Sequence, residues 1–384
     1  MRQTLSRTDA GVPGVTLRST QRFAFHTVRR SNSPRMTTPA APIEPRHAQS
    51  AGQRPLRVGV VVPCYRERAN ILTVLAAMPE QVTTVFCVDD GCPQQTGDWV
   101  ATQCRDVRVQ VLRHARNQGV GAAMRTGYRA ALAAGMDIVV KIDGDGQMDP
   151  RDLPRLIAPI VSDQADYTKG NRFYRLDGLV VMPLARICGN IVLSFVSKLS
   201  TGYWQSFDPN NGYTAIDGRV LELLPLDAIN DGYFFESDML FRLNTLRAVV
   251  RDVPMQARYG NEESGLRLLP TIAAFTWRHA VNFGKRLFYN YFLRGFSVAS
   301  VEWVLGPSML IFGMTFGVNE WLRSIHTSIA ATAGTVMLAS LPTIVGMQML
   351  LSAIHFDIGN EPSVPLRRLL RDVAVDHLAG DHEP

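Results

Sequence analysis

The stretch VVKIDGDGQMDP, residues 139–150, decides how the rest of this chain is read. Val139, Val140, Lys141 and Ile142 lead directly into Asp143, Gly144 and Asp145. That is the pattern of a buried strand whose carboxyl end carries two acids into a cleft, the place where open α/β sheets bind ligands. Gly144 lets the backbone bend so that both carboxylates approach one point. Gln147, two residues on, adds a third oxygen. Clustered hard oxygens suit Mg2+ or Mn2+, and such a metal usually completes its shell with substrate phosphates. A nucleotide diphosphate is therefore the expected ligand. A DxD alone is also an ordinary polar turn, so the reading rests on the chain around it.

Upstream, residues 57–65, RVGVVVPCY, form a continuous apolar strand, and a helical pattern starts near Asn70. No GxGxxG follows that strand, which argues against a dinucleotide dehydrogenase. Residues 82–90, VTTVFCVDD, and 107–114, VRVQVLRH, are the next two strands. Asn117, Gly119 and Gly121 then open an alanine-rich helix through Ala134, closed at Gly135. Four alternations of strand and helix predict a mostly parallel, doubly wound sheet. Its strand ends gather Tyr65 and Glu67, Asp89 and Asp90, Asn117, then Asp143 and Asp145 along one edge, as a nucleotide cleft requires.

These residues resemble the inverting family-2 glycosyltransferases with the GT-A fold, in particular the dolichol-phosphate mannosyltransferase-like members. The resemblance spans about residues 57–266 and rests on ordered motifs: VPCYRERANI, VDDGCPQQTGD, RNQGVGAAMRTGYRAA, DGDGQMDP, KGNR, DPNNGY and YGNEESG. It implies a Rossmann-like GT-A catalytic domain. It also implies that Pro63, Tyr65 and Glu67 hold the base and ribose, that Asp89 completes base recognition and that Asp90 opens the next loop. Asp143, Asp145 and Gln147 match the metal and diphosphate site, and Arg172 of the GNR motif matches a phosphate-facing arginine. We add Arg258 as a second phosphate cation. The chain departs from the family pattern at Cys92, where Ser is usual, at Val120, where Lys is usual, and at Ser264 and Gly265, where GxSK is usual.

The formal net charge of +6 is concentrated at the front, where residues 1–54 hold nine arginines against Asp9 and Glu44. The remainder is near neutral, so nucleic acid is not implied. Residues 1–53 lack apolar periodicity and read as a disordered Arg-rich extension; an organelle transit peptide, or sequence translated ahead of a start at Met36, has the same composition. Five cysteines with no CxxC pair fit reduced thiols in a cytosolic compartment.

Beyond the motifs, Met182 to Trp204 carries a helical stripe at Leu184, Ile187, Ile191 and Phe195, equally suited to an acceptor groove on the lipid surface and to a core helix. Residues 235–246 read as a helix starting with Glu236 and Asp238. Along 271–294, Ile272, Phe275, His279, Phe283 and Leu287 line one side, as on an interfacial helix. Residues 295–319 contain Glu302 as their single charge and 330–354 contain none. Each is 25 residues, and a span needs about 20. The expected organisation is 1–53 extension, 54–266 catalytic domain, 267–294 interfacial amphipathic helix, 295–356 two transmembrane helices and 357–384 tail. Basic residues flank the hairpin on both sides, so the positive-inside rule places catalytic domain and tail on the cytoplasmic side of the inner membrane.

The function implied is transfer of one sugar from a UDP- or GDP-linked donor to a polyprenyl phosphate, with inversion, and self-association is left open. A processive synthase would carry QxxRW and more spans. A hydroxyl acceptor on another lipid or glycan would need Glu236 or Asp238 as base, and a non-catalytic scaffold would bind a nucleotide sugar without turnover.

Overall fold

The computed structural model of the chain describes residues 54–172, 184–208, 211–255 and 268–371, with backbone alone at 184–191 and 268–272. Seven strands form one sheet: β1 (Val58–Cys64), β2 (Val82–Asp89), β3 (Val109–Arg113), β4 (Ile138–Lys141), β5 (Tyr167–Asn171), β6 (Thr214–Asp217) and β7 (Val250–Pro254). Their spatial order is β3-β2-β1-β4-β6-β5-β7. β1, β2, β3 and β4 pair in parallel, as do β5 and β7, whereas β6 runs antiparallel to both β4 and β5.

Alternation along each strand divides the core. Val60, Val62 and Val140 point to one face, against α1 (Ile71–Ala76) and α4 (Leu153–Val161). Val61 and Val139 point to the other, against α3 (Val120–Ala133), α6 (Gly218–Glu222) and α7 (Phe235–Leu246). Strands with apolar residues at every position are what burial on both faces demands. α2 (Thr96–Gln103) follows β2 and buries Val100.

The inserted β6 matters most for the site. Its antiparallel register sets Thr214 opposite Lys141 of β4 and also opposite Lys169 of β5. Residues 211–213 are thereby delivered beside the DxD turn, with the end of β5 on the other side. Three motifs far apart in sequence meet at one sheet edge.

α5 (Leu184–Thr201), α8 (Leu268–Phe288), a π-helical turn (Tyr289–Leu293), α9 (Val298–Thr327) and α10 (Ala333–Gly359) complete the fold. α9 and α10 are long and apolar enough to cross a membrane, with 17% and 11% of their apolar windows buried, and they fit membrane anchoring of a soluble catalytic domain. They touch through small residues: a Cβ on Gly346 would lie 2.6 Å from the Leu310 nitrogen, the close backbone approach typical of packed membrane helices.

α8 departs from the expected interfacial arrangement. Ile272 falls outside the described side chains, and the rest of the stripe faces protein: His279 is buried with its Nδ1 2.7 Å from Ser200 Oγ, Phe275 meets Phe234, and Phe283 and Leu287 pack with Tyr291 and Trp303. The stripe is covered by α5, α7 and the start of the hairpin. Of the stripe expected on α5, Leu184, Ile187 and Ile191 fall outside the described side chains, and Phe195 is half exposed against Trp204.

The hairpin is joined to α8, the π-helical turn and the loop after α5 by a buried carboxylate. Asp357 of α10 accepts from Arg286 Nη1 at 2.7 Å, Arg286 Nη2 at 2.9 Å, Tyr291 Oη at 2.6 Å and Trp204 Nε1 at 2.8 Å. Farther on, Glu361 accepts from the Trp204 and Gln205 amides, and Leu366 and Arg367 donate their amides to Asp166 at 2.7 and 2.8 Å.

Candidate active site

A cleft of about 570 Å³ opens at the carboxyl ends of β1 and β4. Pro63, Tyr65, Glu67, Asp90, Asn117, Asp143 and Asp145, all singled out from sequence, line it. Lys141, Gly212, Gly232, Tyr233, Glu236 and Phe275 complete the wall with residues from β4, the loop before β6, and the segments leading into α7 and along α8.

Lys141 is the element that sequence reasoning left without a role. It is 1% exposed, yet its ammonium sits 2.8 Å from Asp143 Oδ1 and 3.1 Å from Glu236 Oε1. Burial pushes its pKa down, but the charges of Asp143 and Glu236 outweigh burial and raise it. The lysine is therefore a fixed cation beneath the cleft, bridging the DxD turn to the first turn of α7. A lysine inside an otherwise apolar strand was the available signal, since charge is buried only where it is paired. Gly212 closes over this pair: a Cβ there would lie 2.4 Å from both Asp143 Oδ2 and Lys141 Nζ.

A second buried lysine supports the same edge. Lys169 of the KGNR motif donates to the Asn211 carbonyl at 2.6 Å, and burial above all lowers its pKa to about 8. The loop that carries Gly212 thus rests on an ammonium from β5.

Three candidate residues lie elsewhere than the sequence suggested. Asp89 does not line the cleft, because its oxygens accept from the amides of Cys92 at 2.7 Å and Gly97 at 2.5 Å and so build the turn into α2. Gln147 is not a wall residue either; its backbone amide donates to Asp145 Oδ1 at 2.9 Å, which shapes the DxD turn. The guanidinium of Arg172 is held by buried Asp208, Nε to Oδ2 at 2.9 Å and Nη2 to Oδ1 at 3.3 Å, away from the cleft wall. Arg258 lies outside the described residues, as does the YGNEESG motif.

Asp90 reaches the cleft but spends its oxygens on structure. It accepts from the Gln118 amide at 2.9 Å and the Gly119 amide at 2.7 Å, and Oδ1 lies 2.7 Å from His114 Nδ1. It holds the RNQGVG loop, which is how Asn117 comes to line the cleft. Glu236 and Asp238, two apart on α7, face opposite ways. Asp238 is enclosed by the Asn230 amide, Arg242 Nε and Asn282 Nδ2 at 3.0, 3.0 and 3.1 Å, so it is removed from consideration as a base.

Among the described residues no group of three or more His, Cys, Asp or Glu side chains is placed to hold a metal ion. The donor set at the cleft is Asp143 and Asp145, two hard carboxylates. That set fits a divalent cation whose remaining positions are filled by diphosphate oxygens and water.

A family model described as glycosyl transferase family 2 matches residues 59–221. The undecaprenyl-phosphate mannosyltransferase of Micrococcus luteus is 32% identical over 204 residues, 52% of this chain and 83% of that protein. The polyprenol monophosphomannose synthase of Mycolicibacterium smegmatis is 30% identical over 219 residues, 54% and 82% of the two chains. A UDP-N-acetylglucosamine–dolichyl-phosphate N-acetylglucosaminyltransferase of Methanococcus voltae is 28% identical over 214 residues, 52% and 85%. The match covers the strands that build the cleft and most of each relative's length: this chain is a glycosyltransferase and belongs to glycosyl transferase family 2.

Proposed function

We propose that the chain moves a single sugar from a nucleotide diphosphate sugar to a polyprenyl phosphate, with inversion at the anomeric carbon, at a membrane in which α9 and α10 anchor it. The observation that carries this reading is one cleft holding the DxD acids beside Pro63, Tyr65, Glu67 and Asn117, in a chain that also carries two exposed apolar helices. Relatives named for polyprenyl-phosphate mannose transfer and for dolichyl-phosphate N-acetylglucosamine transfer support the acceptor class. Because their sugars differ, both UDP- and GDP-linked donors belong in the test. The basic residues before and after the hairpin favour a cytoplasmic catalytic domain at the inner membrane.

In this mechanism Pro63, Tyr65, Glu67 and Asn117 seat the nucleotide. Asp143 and Asp145 would hold Mg2+ or Mn2+, which when bound would supply positive charge to the leaving diphosphate. Lys141 holds the Asp143 carboxylate in place from below, and Gly212 leaves room for that geometry. A polyprenyl phosphate has a second pKa of about 6, as phosphorylated side chains do, and arrives anionic at pH 7. It requires placement and no protein base. Arg258 is the arginine we assign to phosphate charge; Arg172, whose guanidinium is paired with Asp208, is not given that role.

A second reading, transfer to a hydroxyl of another lipid or glycan, is favoured by the position of Glu236, a carboxylate in the cleft wall. The two are separated by incubating membranes containing the protein with radiolabelled nucleotide sugars and polyprenyl phosphate, then extracting lipid. Label in an acid-labile lipid phosphate, abolished by chelator, is expected. Label in another lipid or glycan would overturn the phosphate acceptor. Glu236→Gln then decides the chemistry: a general base is worth about 10²–10⁴-fold, so a loss of that size in single-turnover rate, with donor binding intact, identifies a hydroxyl acceptor.

A further inference from the structure

A second groove, about 320 Å³, lies between the segment leading into α7 and the outer side of α8. Arg242, Arg278, Lys285, Asp238, Trp277 and Phe234 line it. The single carboxylate among these is neutralised, because Asp238 pairs with Arg242 at 3.0 Å and also accepts from Asn230 and Asn282. Among the described residues Arg278 donates to the neutral Asn230 Oδ1, at 3.0 Å, and it lies 5.8 Å over the Phe234 ring. Among the described residues neither Arg278 nor Lys285 has a carboxylate within ion-pair distance. Two uncompensated cations thus share a groove with Trp277, which is 71% exposed.

The groove also has a definite place along the chain. Lys285 comes one helical turn before Phe288, where a run of exposed aromatics begins: Phe288, Tyr289, Phe292 and Phe296, just ahead of α9. Exposed aromatic residues next to an apolar span mark the membrane–water interface, and cations there are attracted to anionic headgroups. We propose that this groove binds the headgroup phosphodiester of an anionic phospholipid, with Arg278 and Lys285 on the phosphate and Trp277 against the glycerol and upper acyl chain. Charge complementarity chooses the occupant. A zwitterionic lipid brings its own cation to two cations, and a free phosphate leaves Trp277 without a partner.

The inference rests on α9 and α10 spanning a membrane, so the test first asks whether the full chain stays insoluble without detergent. If it is soluble, the anchor reading fails and this inference with it. In neutral detergent, dihexanoyl phosphatidylglycerol, dihexanoyl phosphatidylcholine and inorganic phosphate are each titrated while tryptophan emission is followed, with Trp277→Phe as the control for signal origin. Saturable binding of phosphatidylglycerol is expected, carried by Trp277. Each cation near an anionic lipid contributes enough that Arg278→Ala/Lys285→Ala weakens it about thirtyfold, while Arg278→Lys/Lys285→Arg restores it. Equal responses to both lipids, an equal response to inorganic phosphate, or full retention in the alanine pair would overturn the proposal.

Discussion

Asp357→Ala removes the acceptor for four donors and leaves Arg286, 1% exposed, without its counter-charge. Stranding one member of a buried ion pair costs about 3–5 kcal/mol. Tyr291 Oη and Trp204 Nε1 lose their partner too, and each unsatisfied buried donor costs about 1–3 kcal/mol, not additively. A net loss near 4 kcal/mol concentrated at the junction raises its opening constant about a thousandfold, at 1.4 kcal/mol per tenfold. Limited proteolysis in detergent reads this directly, since cleavage of a transiently opened segment tracks its opening equilibrium. Asp357→Ala should release the α9–α10 hairpin from the catalytic domain at protease levels that leave the wild type intact. Arg286→Met/Asp357→Leu, which removes both charges, should recover most of the resistance. Wild-type resistance in Asp357→Ala would refute the reasoning, because the four donors would then not be holding the junction closed.

Asp145→Asn should abolish sugar transfer while expression and membrane insertion stay normal; retained turnover in divalent metal, with no effect of chelator on the wild type, would remove Asp145 from the metal site. Gly212→Ala places a methyl 2.4 Å from both Asp143 Oδ2 and Lys141 Nζ, and a displacement of about 1 Å at a reacting site can cost about a hundredfold. Single-turnover rates should therefore fall by about that factor while the melting temperature moves little, and a normal rate would show that the Asp143–Lys141 pair tolerates displacement. His279 has its pKa lowered by burial from 6.5 to about 4, so the unfolded chain binds a proton there that the folded chain refuses. Stability should consequently rise with pH between about 4 and 6.5, a slope that His279→Gln reduces in melts followed from pH 5 to 7; an unchanged slope would place the titration elsewhere.

Cutting the chain after Leu266 looks harmless from sequence, as the removal of an interfacial helix and an anchor. In the structure α8 covers α5 and α7, and the Leu366 and Arg367 amides satisfy Asp166 beside β5. Loss of these contacts exposes a catalytic-domain surface that is otherwise buried, so a fragment ending there should aggregate.

What the sequence determined by itself is what short-range patterning controls. Apolar runs ending at Cys64, Asp89 and Lys141, with helices between them, required a largely parallel sheet, because strands buried on both faces need apolar residues at successive positions. Turn chemistry after those strands put Tyr65, Glu67, Asn117 and the DxD along one edge, and two apolar runs of 25 residues, with Glu302 as their single charge, declared the two long helices. Long-range pairing decided the rest. β6 has only four residues, too few for a periodic signal, yet its antiparallel insertion between β4 and β5 brings Gly212 against Asp143. Lys141 and Glu236 are 95 residues apart and meet only because α7 packs on the face to which Lys141 points. Asp89 and Asp90 are neighbours with the same side chain; one is turned inward to serve two amides and the other reaches the cleft while holding a loop. Residue type tells which groups can ionise or accept a hydrogen bond. The tertiary arrangement decides which of them are already committed, since every buried amide must find an acceptor before a ligand can.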